Sequence, residues 1–325
     1  MTIYFISFPT SNQYMKHDWK ITVIMILIFL ITQLVGLNII SQYIDIEQTS
    51  ETGKTVTKYQ DIDAIIGRPE IENESFSFIP IVVAVLVGTF LILLIAKYKL
   101  FKVWNVWFFL AILIGLAYAF HPYIAKLLRS VSLGAPRTTI GVTLIVAGVL
   151  AYLKTKKKNV LIHNITEIFI YGGIAALFIN IINITAAIIL LLLISVYDAY
   201  AVWKSKHMIK LAEFQAETKL FAGLFIPKGK IKDMSKMSLK VQKKSTKKLS
   251  TGYAVLGGGD IAFPLLFTGA VLKYTNSYPA AIIIALFATI ALGTLLFLSK
   301  KGKFYPAMPF ISAGCFVGYA VTLLF

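Results

Sequence analysis

The feature that most constrains this chain is a series of apolar segments, each about the length that carries a helix across a bilayer (roughly twenty residues). Nine can be read, at approximately 21–41, 77–97, 103–120, 138–153, 159–179, 181–203, 252–272, 279–299 and 304–325. In lipid, every backbone polar group must find its partner inside the protein, so such segments become helices. The expected fold class is an all-α polytopic membrane protein with nine transmembrane helices. Composition agrees: 58% of the 325 residues are hydrophobic and 14% are charged, against about 25% charged in a soluble domain. A soluble enzyme, a disordered chain and a secreted disulfide scaffold are excluded. The single cysteine, Cys315, can form no internal disulfide. Asn180 and Asn183 mark the turn that splits 159–203 into two spans, and the fourth span is short, with Gly141 and Gly148 inside it. The first span follows Lys16 and Lys20, as a signal peptide would. Its apolar stretch is too long for an h-region and no A-x-A-like site follows, so it reads as a retained helix.

Charge then sets orientation. The net charge is +17, which in a soluble protein would raise nucleic acid as a partner. Here the lysines cluster in short loops between apolar runs, so topology explains them and no nucleic-acid partner is expected. With the N-terminus in the cytoplasm, 25 of the 32 basic residues fall on the cytoplasmic side. The first outer loop, 42–76, holds eight acids and three bases. The expectation is a multi-pass protein of the cell membrane with its N-terminus and the long 204–250 loop inside and its C-terminus outside. That loop divides the chain into a six-helix part, 1–203, and a three-helix part, 251–325. Its first half, Met208 to Phe225, spaces apolar residues as an amphipathic helix on the inner membrane surface would. Its second half, Pro227 through Lys248, is basic and low in apolar content, and is expected to be mobile and drawn to anionic lipid.

Three acids lie inside apolar spans: Glu167, Asp198 and Asp260. A carboxylate at membrane depth costs several kcal/mol (roughly 2.5–3.5 on insertion scales) unless partnered, hydrated or protonated, and so marks function by default. Glu167 has no motif around it and reads as a packing or solvated residue near the cytoplasmic end. Asp198 lies roughly 8 Å inside the sixth span and Asp260 roughly 13 Å inside the seventh, at 1.5 Å per helical residue. Consecutive antiparallel helices bring the two to similar depth. Two close carboxylates cannot both ionise cheaply, so one keeps a proton. Such a pair supplies a general base for water and a general acid for a carbonyl or amine. Asp260 follows Gly257-Gly258-Gly259 and precedes Pro264, which loosens a helix at that point. Pro306-Ala307-Met308-Pro309 opens the ninth span at the same depth, with backbone groups an extended substrate strand could pair with.

These residues carry a resemblance. Tyr197-Asp198, Gly257-Gly258-Gly259-Asp260 and Pro306-Ala307-Met308-Pro309, in that order on three spans, resemble the Y-D, G-x-G-D and P-A-L-P signatures of the presenilin and signal peptide peptidase family, with Met308 in the leucine position. The lack of a large extracellular domain is similar to archaeal presenilin homologues. The resemblance implies an intramembrane aspartyl protease that hydrolyses peptide bonds within transmembrane helices. It implies Asp198 and Asp260 as the catalytic dyad at a water-accessible site, with Tyr197, Gly257, Gly259, Pro306, Ala307, Met308 and Pro309 as active-site support. The implied partners are transmembrane-helix substrates and membrane lipid, with a homo-oligomer left open and no cofactor or metal. Other enzymes fail on motif: His17, His121, His163 and His207 form no H-E-x-x-H, and no P-loop or convincing G-x-S-x-G occurs. The alternative from another class is a secondary transporter or channel that uses the aspartates as a proton or ion relay. Inverted repeats would favour it, and six plus three spans do not form equal halves.

Overall fold

A computed structural model describes residues 19–46, 57–58, 78–157, 159–205, 218, 220–227, 253–299 and 305–324. Among them are nine α-helices: α1 (Trp19–Ser41), α2 (Phe78–Lys97), α3 (Phe101–Ser130), α4 (Pro136–Lys157), α5 (Val160–Ile179), α6 (Ile184–Tyr200), α7 (Gly258–Thr275), α8 (Tyr278–Leu298) and α9 (Met308–Thr322). Each expected span meets one helix. Asn180 is the C-cap residue of α5, and Asn183 caps α6 by accepting from Ala186 N–H, so the polar pair ends one helix and starts the next. One π-helical turn, Ala201–Ser205, extends α6. Two short antiparallel pairs complete the described secondary structure: β1 (Asp45–Ile46) with β2 (Thr57–Lys58), and β3 (Gly223–Pro227) with β4 (Tyr253–Gly257).

Seven helices are long and apolar enough to cross a membrane on their own; α7 and α9 are not among them. The reason for α7 is its place. It is packed by α1, α5, α6, α8 and α9, so its surroundings are protein rather than lipid, and it is buried along almost its whole length. Phe29 and Leu37 of α1, Ile179 of α5, Leu190 of α6, Leu265 and Phe267 of α7 and Ile284 of α8 share this central core. A second cluster, including Trp104, Phe108 and Ile112 of α3 and Ala147 and Ala151 of α4, lies to one side. The apolar residues left exposed, such as Phe90 of α2, Ile145 of α4 and Ile290 of α8, face outward, as a lipid-facing surface requires.

Three expectations are corrected. The third span was expected at 103–120, but α3 runs on to Ser130 through Pro122. Pro122 has no N–H for the carbonyl of Tyr118, one turn earlier, and the Tyr43 hydroxyl donates to that carbonyl instead. The seventh span was expected from 252, but Tyr253–Gly257 is the strand β4, and the helix starts at Gly258. An apolar run of that length does not by itself separate strand from buried helix; β3 supplies the partner that satisfies the backbone of β4. The amphipathic helix expected over Met208 to Phe225 is not what its last residues form. Gly223–Phe225 belong to β3, with Leu224 and Phe225 fully buried rather than lying on a membrane surface. Residues 208–217, and the basic stretch from 228 to 250, lie outside the described residues.

Candidate active site

Asp198 and Asp260 come together as their depths predicted, by a different local structure. Asp198 stands in the last turn of α6. Asp260 is the third residue of α7, reached along β4 and not along a helix. Gly257 closes the strand and Gly258 and Gly259 begin the helix, so the glycines are a strand-to-helix joint rather than a loosened helix interior. Gly258 N–H donates to Ala222 O at 3.2 Å, continuing the hairpin pairing into the first turn. The turn also places Asp260 where the helix dipole favours negative charge. The two carboxyl groups are near enough for their charges to interact. Both side chains have 0% exposure.

The third segment reaches the same place. Pro306 and Ala307 precede α9, Met308 is its first residue and Pro309 its second. Expected to open the span and leave backbone groups unpaired, the prolines stand at a helix start, where the first N–H groups have no intrahelical acceptor. The free Met308 N–H donates to Asp198 Oδ2 at 3.1 Å. One turn further along each helix, Ser195 Oγ and Ser312 Oγ lie 2.8 Å apart and hold α6 and α9 in register. Asp260 is the reverse case: neither of its oxygens meets hydrogen-bond geometry with a described residue. On α1, Gln33 Nε2 donates to Ile261 O at 3.0 Å, beside Asp260. Tyr197, expected to lend a hydrogen bond, is half-buried and makes no side-chain hydrogen bond to a described residue.

α5 contributes what sequence reasoning missed. His163, Glu167 and Tyr171 recur every four residues and so lie along one helix face. Glu167 is neither solvated nor a bare packing residue. It is buried and ion-paired with Lys154 of α4, which is buried as well. His163 Nε2 lies 2.8 Å from Gly223 O and 3.9 Å from Glu167 Oε1. A carbonyl only accepts, so that nitrogen carries the proton. Beside it, Asn164 Nδ2 donates to Phe225 O at 2.6 Å while Asn164 Oδ1 accepts from Phe225 N–H at 2.9 Å. The Asn164 amide thus stands in for a neighbouring strand on the outer edge of β3, and Pro227 has no N–H to offer there. Gly223, with φ of 152°, takes a conformation only glycine holds readily. The four-residue spacing of His163, Glu167 and Tyr171 was the signal that could have revealed this face.

No group of three or more His, Cys, Asp or Glu suited to a metal ion occurs among the described residues. No curated protein shows a significant match to the chain. Two solved structures of a presenilin family intramembrane aspartate protease share its fold. One, in a C222 crystal, is 18% identical with a TM-score of 0.56, over 94% of this chain and 98% of the other. The second, in a P2 crystal, is 19% identical with a TM-score of 0.58, over 95% and 99%. Residues 61–325 match the family described as signal-peptide peptidase, presenilin aspartyl protease. Nothing in these matches supports a transporter. With nine α-helices among the described residues and two aspartates buried at the meeting point of three of them, the chain belongs to the signal-peptide peptidase and presenilin family and is a multi-pass intramembrane aspartyl protease.

Proposed function

We propose that Asp198 and Asp260 are the catalytic dyad of this protease and that its substrates are transmembrane helices of other membrane proteins. The observation that carries this reading is the pairing itself. Two buried carboxyl groups lie within charge interaction on neighbouring helices, one held by a backbone N–H and the other meeting hydrogen-bond geometry with no described residue. Aspartyl hydrolysis needs one carboxyl group charged and the other neutral. The charged member takes a proton from water as the water oxygen attacks the scissile carbonyl. The neutral member gives its proton to the carbonyl oxygen. The newly protonated member then gives its proton to the amide nitrogen while the other takes one from a hydroxyl of the tetrahedral gem-diol, so the C–N bond breaks and the pair again holds one proton. Gly257, Gly258 and Gly259 support the site as the joint that turns Asp260 inward. Pro306, Ala307, Met308 and Pro309 support it by aiming an N–H at Asp198.

A transmembrane helix must unwind before its peptide bond can be attacked, and β4 offers a place for an unwound segment. Phe225 directs its N–H and C=O away from β4 toward Asn164. Val255, its opposite number in the hairpin, therefore directs its own away from β3. That edge leads into Gly257 and Asp260. The test is cleavage of a synthetic transmembrane peptide by the purified protein in detergent. The wild type is expected to cut it. Asp198→Ala and Asp260→Ala are each expected to remain folded and lose cleavage entirely. Near-normal activity in either variant would overturn the dyad.

We further propose the orientation read from charge, with the N-terminus and the 204–250 loop in the cytoplasm and the C-terminus outside. The chain then divides into 1–203 with Asp198, the 204–250 loop, and 251–325 with Asp260 and the proline segment.

A further inference from the structure

The polar stripe on α5 contains one group that neither the fold nor the dyad reading accounts for. His163 is bound to Gly223, and Glu167 to Lys154. Tyr171, the third member, is 4% exposed, and its hydroxyl meets hydrogen-bond geometry with no described residue. A phenylalanine would fill the same space without burying a hydroxyl, so the hydroxyl calls for a reason. Its position gives one. A Cβ built on Gly258 would lie 2.6 Å from the Tyr171 oxygen. The phenol therefore rests against Gly258, the first residue of α7, in the turn that carries Asp260, and a side chain there would collide with it. Tyr171 lies close to two carboxylates, Glu167 first, which its hydroxyl approaches without meeting hydrogen-bond geometry, and Asp260 second. Glu167 is already charge-balanced by the Lys154 ammonium. Asp260 has two buried oxygens, both open, and the neighbouring Gly257 N–H falls short of bonding geometry with them.

We propose that Tyr171 is a positioning residue of the active site, whose hydroxyl donates a hydrogen bond to the Asp260 carboxylate when the cleft is occupied. The inference rests on the dyad reading and names a third side chain for it. A donor to the charged form of a carboxylate favours that form, so Tyr171 holds the base-competent state of the pair to lower pH. Asp198 is the titratable group besides Tyr171 whose charge reaches Asp260 among the described residues. On the helices packed against α7, the others are Tyr197 and Tyr200 beside Asp198 on α6, His163 and Glu167 (with its Lys154 partner) of α5, and Cys315 and Tyr319 of α9, the last against Phe267. Among the described residues α1 and α8 bring no acid, arginine or histidine to α7; Lys20 is exposed at the start of α1, and Tyr278 opens α8.

The experiment measures kcat and KM for cleavage of a synthetic transmembrane peptide against pH, with full-length wild type, Tyr171→Phe, Asp198→Ala and Asp260→Ala, and records the Tm of each. Tyr171→Phe is expected to keep the wild-type Tm. The acid limb of its profile should move to higher pH by about one unit, a roughly tenfold loss on the acid side. KM should hold. A fall in kcat with both limbs unmoved would place the hydroxyl on the substrate carbonyl and overturn the assignment to Asp260. A profile superimposable on wild type with a lowered Tm would give the hydroxyl to Glu167 and likewise overturn it. If the wild type does not cleave, or the aspartate variants cleave as well as it does, the dyad reading itself fails. If those controls behave and only Tyr171→Phe is unchanged, the present inference alone falls.

Discussion

Lys154 and Glu167 show what a single residue can conceal. In sequence Lys154 belongs to a basic run after the fourth span, and Glu167 is an acid without a motif. Nothing in either neighbourhood pairs them, because they stand on different helices. Packed together, they form a buried ion pair. Removing one partner of such a pair leaves an uncompensated charge and costs about 3–5 kcal/mol. Replacing both with apolar residues of similar volume is often neutral. Lys154→Met and Glu167→Gln are each expected to lower the detergent Tm sharply, while Lys154→Met with Glu167→Met recovers most of the loss. Equal Tm values for all would mean the pair carries no weight. Asp198 and Asp260, by contrast, were legible from sequence: an acid at membrane depth stands out, and depth along a span needs no knowledge of packing. Tyr197 was read from adjacency to Asp198 alone. Neighbours in a helix point about 100° apart, and its side chain makes no hydrogen bond to a described residue.

At the scale of elements, the helices were legible and the hairpin was not. Periodicity and length found nine spans because each is a local pattern. The pairing of β3 with β4 joins Gly223–Pro227 to Tyr253–Gly257 across the long loop, and no local pattern encodes a partner so far away. Two cues were present and misread. Glycines at 257–259 fit a helix start as well as a weakened helix. A proline at the second position of α9 removes no intrahelical bond, so Pro309→Ala restores none. Asn164 is the test of the hairpin's support. It closes the β3 edge with two hydrogen bonds, and Asn164→Ala removes both from the buried Phe225 backbone, at about 1–3 kcal/mol each. The expected outcome is faster amide exchange across 223–227 and 253–257, unchanged exchange in α8, and reduced peptide cleavage. Wild-type exchange in both strands would show that Asn164 does not hold them.

For the whole molecule, hydropathy and charge answer different questions. Hydropathy fails on α7 because that helix is enclosed by five others and need not be lipid-compatible; its polar residues, Asp260 and Lys273, are held inside, the latter bonding Asn180 O and Ile182 O. A helix can thus be central to a membrane protein and weak by the measure that finds membrane helices. Charge is indifferent to this, because it acts on loops. The lysine bias puts 25 of 32 basic residues on one side, and loops near span ends set orientation through that bias. In the proposed orientation 42–76 lies outside and 204–250 inside. The prediction is tested in a Cys315→Ala background with one new cysteine at a time, Ser50→Cys in the first loop or Ser235→Cys in the long one. A membrane-impermeant maleimide applied to intact cells should label Ser50→Cys and spare Ser235→Cys until the membrane is opened. The reverse pattern would invert the molecule and place the strand-bearing face, with β3, β4 and the aspartates, toward the outside.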